Sequence, residues 1–270
     1  MTLIRGSTSL IAHVGYPTHI FKSPLIYNPY FASAGIDAAV VPMGVTSDDL
    51  EAVLPGLFKL TNLRGALITM PHKMSVLPLL DMCSTAVEIA GACNAIRRRD
   101  DGALVGDLFD GEGFVRGLRR KGAPLRGASA LVMGCGGVGS AIAAALAAEG
   151  VGGLTLTDSN GDLAMRLQRR LTTHYPGLAV SAGMSDPVRH NLLVNATPLG
   201  LRPDDPMPFE LSQVSQSTWI GDVVMSSAPT PLVAAARARG WRCFMEAPSS
   251  PAAIAIGWSM TASGSGRMIA

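Results

Sequence analysis

The sequence carries almost no excess of charge. Its 22 Lys and Arg stand against 20 Asp and Glu, a formal net charge of +2 over 270 residues. A chain this near neutrality has no broad basic surface for a nucleic acid or an anionic membrane, so neither is an expected partner. Its short basic runs, Arg97-Arg98-Arg99 and Arg119-Arg120-Lys121, are read as solvated helix ends or loop faces. Cysteine is also scarce. Cys83, Cys93, Cys135 and Cys243 form no Cys-x-x-Cys pair and have no histidine at zinc-finger spacing, which excludes a familiar zinc site. A disulfide framework is not expected at this size and cysteine density. The expectation is buried free thiols in a reducing cytoplasm, with no metal site. No apolar run reaches the ~18–20 residues of a membrane span. The N-terminus lacks the basic stretch, long apolar run and cleavage site of a secretory signal. Internal repeats are missing as well.

What is present is a compact, apolar chain: 48% hydrophobic and 16% charged, the balance of a globular protein. The length fits two domains at roughly 100–200 residues each. In the first part short apolar runs alternate with helical stretches. Leu10–Val14 predicts a strand entering Gly15-Tyr16-Pro17. Ser23-Pro24 predicts a capped helix start, with the helix ending at Gly35. Ala38–Val41 predicts a second strand. Thr46 or Ser47 is the expected cap of a helix through Leu57, closed near Gly56. Gly65–Thr69 predicts a third strand ended by Pro71, and a further helix is expected after Lys73. Glu112–Lys121 predicts a connecting helix before the linker Gly122-Ala123-Pro124. Beyond it, strands at Ala128–Met133, Leu154–Thr157, Leu192–Asn195 and Trp219–Val224 alternate with helices at Ser140–Glu149 and Asp162–Thr172. This is the pattern of a doubly wound parallel sheet. The fold class is therefore α/β, with a first α/β domain over residues 1–111 and a Rossmann-type domain over 112–244. A last helical stretch is expected at Pro251–Trp258.

Gly134-Cys135-Gly136-Gly137-Val138-Gly139 reads G-x-G-x-x-G. It follows an apolar strand and opens an alanine-rich helix, the context that turns a weak pattern into a dinucleotide loop. Gly134 permits the tight turn, Gly136 lets backbone approach a pyrophosphate, and Gly139 lets helix and strand pack closely. The helix N-terminus, through Gly137 and Val138, offers unpaired N–H groups to phosphate. Asp158 ends the next strand, where an acid bonds the adenosine ribose hydroxyls and repels a 2′-phosphate. Ser159 and Asn160 follow it and provide no arginine. The expected cofactor is NAD rather than NADP. The competing reading is that Asp158 only caps a turn with Asn160 and Gly161.

Other segments, taken in order, resemble the shikimate dehydrogenase family. Gly15-Tyr16-Pro17 with Lys22-Ser23-Pro24 resembles its substrate loop, and Thr69-Met70-Pro71-His72-Lys73 its T-x-P-x-K segment. Gly91-Ala92-Cys93-Asn94 and the stretch from Gly106 to Gly111 are similar to two further motifs. Asn195-Ala196-Thr197-Pro198-Leu199-Gly200 resembles its N-A-T-x-x-G loop, and Asp222-Val223-Val224 with Thr230-Pro231-Leu232 a late motif. The resemblance implies a substrate domain completed by C-terminal helices from about residue 245, with an active site in the cleft between domains. It implies hydride transfer between a nicotinamide and a ring hydroxyl of a shikimate- or quinate-like acid. Lys73 and Asp110 match the catalytic pair, while Ser23, Thr69 and Asn94 match substrate ligands. Asn195, Thr197 and Val223 fall in cofactor-side loops. His72 is a weaker candidate for general acid, because the motif places that role on its neighbour.

The sequence also departs from the family. Phe21 stands where the family has the first serine of a carboxylate-binding pair. Leu67 stands where it has an amide that bonds ring hydroxyls. The glutamine expected after Met245 is missing. The catalytic pair is kept while substrate readers are lost, which predicts the same reaction on an altered substrate. Two other readings stand beside this one. The first is a nucleotide-binding sensor or assembly protein without turnover, against which Lys73 and Asp110 both count. The second is a methylene-tetrahydrofolate type dehydrogenase, against which the ordered motifs count. The partner is a small molecule, and the chain is expected to be a monomer or homodimer.

Overall fold

The computed structural model describes residues 4–202, 204–224 and 228–245. The chain divides into two compact units, one up to Phe109 and the other from Asp110 onward. Both are α/β, as the sequence predicts. The C-terminal helix expected at Pro251–Trp258 lies outside the described residues, as does the return of the tail to the first unit.

The first unit holds strands β1 (Ser9–Gly15), β2 (Ala38–Gly44), β3 (Leu63–Ile68), β4 (Met82–Cys83), β5 (Ala95–Arg98) and β6 (Leu104–Asp107). Its helices are α1 (Ser23–Ser33), α2 (Leu50–Leu57) and α3 (Thr85–Ala90). The sheet order is β2-β1-β3-β5-β6-β4. β1 runs parallel to β2 and β3, whereas β5 is antiparallel to both β3 and β6. β1 is buried at every position but Leu10, as expected of a parallel strand flanked on both sides. Ile11, Phe31, Ala38 and Val40 form a core cluster with Tyr27, Ile36 and Leu67 against it.

The second unit opens with α4 (Asp110–Arg120). It continues through β7 (Ser129–Met133), α5 (Gly137–Glu149), β8 (Gly153–Thr157), α6 (Gly161–His174), β9 (Ala179–Ala182), β10 (Leu192–Asn195), β11 (Trp219–Asp222), α7 (Pro231–Ala238) and β12 (Cys243–Met245). The order β12-β11-β10-β7-β8-β9 is parallel throughout. The chain begins at the centre, winds out over β8 and β9, then crosses to β10. The switch point between β7 and β10 is where such sheets bind ligands. α5 is built of Ala and other small residues and is buried on most faces. α4 crosses it with Gly111 at the contact: a Cβ there would overlap the Ala141 carbonyl.

Several local expectations change. Ser23 is the first helical residue of α1, and the cap position belongs to Lys22 without a side-chain bond. Asp49, with Thr46 bonded to its carboxylate, precedes α2, which runs on through Pro55 and Gly56. No helix follows Lys73. The segment after it makes turns and a single 3-10 turn at Leu77–Leu79, which contains Pro78, a residue with no N–H to donate. Arg97 and Arg98 lie in β5, not in a helix end or loop, and the Arg98 guanidinium donates to the Phe58 carbonyl.

Candidate active site

In the second unit the glycine loop leaves β7 and enters α5. Gly134 has a φ of 96°, a left-handed conformation that side chains resist, and a Cβ on it would lie 2.7 Å from the Ala196 carbonyl oxygen. A Cβ on Gly139 would overlap the Gly134 carbonyl, so these two glycines are required by the protein's own packing. Gly136 and Gly137 differ: both are exposed, and a Cβ on either would meet nothing within 4 Å. With exposed Val138 they leave a bare, positive helix end, which fits a pyrophosphate. Asp158 closes the loop from the side. Its Oδ2 accepts from Cys135 N at 2.7 Å and its Oδ1 from Asn160 N at 2.8 Å. Asp158 therefore does cap the turn to Asn160, and the same carboxylate is fixed against the glycine loop. The Cys135 thiol is pushed up to about 12 by burial and is inert as a nucleophile.

The cofactor-side loops are held by a buried network. Asn195 ends β10, fully buried. Its amide nitrogen donates to the Leu199 carbonyl and to Asp222 Oδ1, and its oxygen accepts from Thr197 N and Thr197 Oγ1. Both ends of the Asn195 amide are thus spent inside the protein, shaping residues 196–200. Asp222, equally buried, also accepts from Val224 N and, at 2.6 Å, from Thr230 Oγ1. Thr230 in turn caps α7 through Val233 N. Burial raises the Asp222 carboxyl above its ordinary value, and the bonds from Thr230, Val224 and Asn195 pull it back. Val223 donates its N–H to the Asn195 carbonyl at 3.1 Å.

The first unit gathers most of its sequence-predicted residues at one end of its sheet. Thr69 N donates to the Val14 carbonyl and Tyr16 N to the Met70 carbonyl, so the chain after β3 is laced to the chain after β1. Gly15 is the crossing point. A Cβ on it would lie 2.7 Å from Met70 O and 3.0 Å from the Phe21 ring, and would overlap the Thr69 methyl. Cys93 N donates to the Lys73 carbonyl, and Asn94 O accepts from Ile68 N. Asn94 Oδ1 accepts from Phe109 N at 3.0 Å. Thr69, Lys73 and Asn94 are thereby brought together by backbone bonds, with Phe21 beside Thr69. Ser23 is half-buried at the start of α1, and Leu67 packs on the core cluster around Phe31. His72 is fully buried, its Nε2 2.8 Å from the Val45 carbonyl. Asp110 opens α4 in the second unit.

The comparisons agree with this geometry. The profile of the shikimate dehydrogenase substrate binding domain matches residues 14–96. A shikimate dehydrogenase (NADP(+)) of Rubrobacter xylanophilus is 38% identical, over 88% of this chain and 84% of its own. The chain belongs to the shikimate dehydrogenase family. Another shikimate dehydrogenase (NADP(+)), of Acidiphilium cryptum, is 34% identical over the same shares. Among solved structures, the shikimate 5-dehydrogenase of Listeria monocytogenes in complex with shikimate and NAD superposes with a TM-score of 0.83 at 25% identity, over 90% of this chain and 87% of that one. The quinate dehydrogenase of Corynebacterium glutamicum in complex with NAD gives 0.73 at 28% identity, over 87% of each. This member of the shikimate dehydrogenase family is accordingly an oxidoreductase of CH–OH groups that uses a nicotinamide cofactor. Among the described residues, no helix is long and apolar enough to cross a membrane.

Sequence reasoning passed over His13, and it named Gly111 and Thr230 only as members of motifs, without the packing roles the structure gives them. Gly111 sets the α4–α5 contact behind Asp110. Thr230 secures Asp222. His13 sits toward the carboxyl end of β1, 5% exposed; a lone polar residue in an apolar parallel strand was the signal for it.

Proposed function

We propose that this enzyme transfers hydride between NAD and a ring carbinol of a shikimate- or quinate-like molecule, with Lys73 and Asp110 handling the hydroxyl proton. The observation that carries the reading is the convergence of Thr69, Lys73 and Asn94 on one sheet end, each pinned by backbone bonds. A half-buried ammonium beside a hydroxyl donor and an amide can orient a substrate oxygen and hold its proton in transit. Asp110, the first residue of α4, is the carboxylate proposed to share the proton's handling with Lys73. The nicotinamide, when bound, takes or supplies the hydride. Thr69 and Asn94 fix the carbinol so that its hydrogen faces one direction, and such positioning is a large share of the rate.

Asp158 supports NAD over NADP. Two backbone bonds hold a carboxylate at the end of β8; Oδ1 also accepts from Ser159 Oγ at 3.5 Å, and Oδ2 retains a lone pair for a ribose hydroxyl, whereas a 2′-phosphate there would meet like charge. The relatives named for NADP(+) make this the finer point at issue. Four unpaired thiols suit the reducing cytoplasm. Substrate choice departs from shikimate at Phe21 and Leu67. The test is steady-state oxidation of shikimate, quinate and other cyclic hydroxy acids with NAD and with NADP, followed at the nicotinamide absorbance. Reduction of NAD by at least one of them is the expected result. No turnover of any cyclic alcohol with either cofactor would end the proposal.

A further inference from the structure

Three side chains at the same sheet end have no part in the proton chemistry. His13 and Phe21 stack with ring centroids 4.2 Å apart and planes tilted by 34°. The Cα of His13 is paired with that of Leu67 across β1 and β3, so the two side chains stand on one face of the sheet. Phe21 also lies against Gly15, the point on which Thr69 converges. All three occupy the carboxyl ends of parallel strands, or the loop beyond them, where α/β sheets take ligands. His13 Nδ1 is buried without a hydrogen-bond partner. Proteins retain few such atoms, because each forfeits its hydration without return.

The chemistry of this wall is that of uncharged groups. Phe21 and Leu67 offer no donor. Burial pulls His13 down to about 4, so its imidazole is neutral near pH 7 and can make a hydrogen bond without balancing a charge. Lys22, the cation next to Phe21 in the chain, is exposed, where water screens it. Tyr16, Ile20 and Met70, all exposed, extend the apolar surface outward. A carboxylate set against such a wall loses water and gains no partner. We infer that His13, Phe21 and Leu67 form the substrate-selecting wall of this active site, that it takes the uncharged face of a cyclic alcohol or ketone and disfavours a ring carboxylate, and that the His13 imidazole makes its one polar contact. The inference rests on the proposed placement of the reaction at Thr69, Lys73 and Asn94.

The test separates binding from turnover. Shikimate and methyl shikimate, which differ at one group, a carboxylate against its uncharged methyl ester, are titrated calorimetrically into the protein saturated with NADH or NADPH, so that no oxidation occurs. The ester is expected to bind about tenfold tighter or more, the scale on which polar mismatch discriminates. Leu67→Asn and, separately, Phe21→Ser should each shift the ratio toward the acid by about tenfold. His13→Phe keeps a stacked ring but removes the nitrogen, and should weaken the ester severalfold. Equal or tighter binding of the acid to the wild-type protein overturns the inference, as does failure to bind either compound. So does a ratio unmoved in the folded variants. Oxidation of the two compounds with NAD and NADP is measured separately. Its absence counts against the reaction at Thr69, Lys73 and Asn94, while the binding ratio still judges the wall.

Discussion

In the second unit, Gly134 and Gly139 are glycine because a methyl group would strike protein backbone, whereas Gly136 and Gly137 are glycine where nothing in the protein opposes one. The first unit shows the same division in other residues. Thr69 and Lys73 are held by backbone bonds that other side chains could share, whereas Asn94 also accepts from Phe109 N through its own amide oxygen. Phe21 and Leu67 fill space against His13 and the Phe31 cluster. Each unit therefore contains positions set by packing and positions that we assign to a ligand. In the nucleotide unit both kinds follow the family pattern. In the substrate unit the reacting groups follow it and the surrounding wall does not.

The largest effect should come from the reacting groups. Lys73→Ala and Asp110→Ala are each expected to lower turnover about 100-fold or more, with cofactor affinity almost unchanged. A loss of NADH binding in Lys73→Ala, read by fluorescence titration, would break the division between the units. Next come the glycines. Gly139→Ala should cost about 2–3 kcal/mol in urea unfolding, because its Cβ has backbone to displace. Gly137→Ala should leave stability intact and weaken NADH binding alone. Equal stability losses in the two variants would show that the open positions are structural after all.

The third prediction concerns His13. Its folded pKa, about 4, lies below the unfolded value of about 6.5. Between these values the unfolded chain binds more protons, so the stability attached to neutral His13 is complete above about pH 6.5 and is lost as pH falls toward 4. The wild-type protein should lose on the order of 2 kcal/mol across that window relative to His13→Leu, measured as the difference in urea midpoints. Parallel pH profiles for the two proteins would place the ring in water rather than in the wall. The smallest effect is at Asp158. Asp158→Ala should narrow a preference for NAD over NADP by about tenfold, the value of one charge-assisted bond. A wider gap would assign cofactor choice elsewhere.

How legible these features were depended on how local their causes are. The glycine loop could be read because its spacing, strand and helix all lie within one short stretch. α4 and the parallel strands of the second unit showed as long periodic or apolar runs. The hairpin of β5 and β6 was passed over although Asp101-Gly102 sits at its turn, because Arg97-Arg98-Arg99 suggested solvent; Arg98 instead finds the Phe58 carbonyl, forty residues away in sequence. A helix was expected after Lys73, but the Lys73 carbonyl accepts from Cys93 N, a partner twenty residues on that no short window of sequence contains. His13 acquires its meaning only from Phe21 and Leu67, which the fold brings to it. Asn195 and Asp222 could be matched as motif residues, yet their bond to one another, and with it their role as a brace, needed the topology of β10 and β11.

The α4–α5 contact at Gly111 bears on how such an enzyme diversifies. Asp110 rides on a helix fitted backbone-to-backbone against the helix that opens the nucleotide loop, so substitutions at 13, 21 and 67 leave that fitting untouched. On the roles proposed above, a lineage can rewrite what it recognises through side chains on β1, β3 and the loop between β1 and α1 while inheriting Asp110 on its fitted helix. In a laboratory selection for new substrates, a library confined to those three positions should yield active variants far more often than an equally small one that includes Gly111, where every replacement must first rebuild the helix crossing.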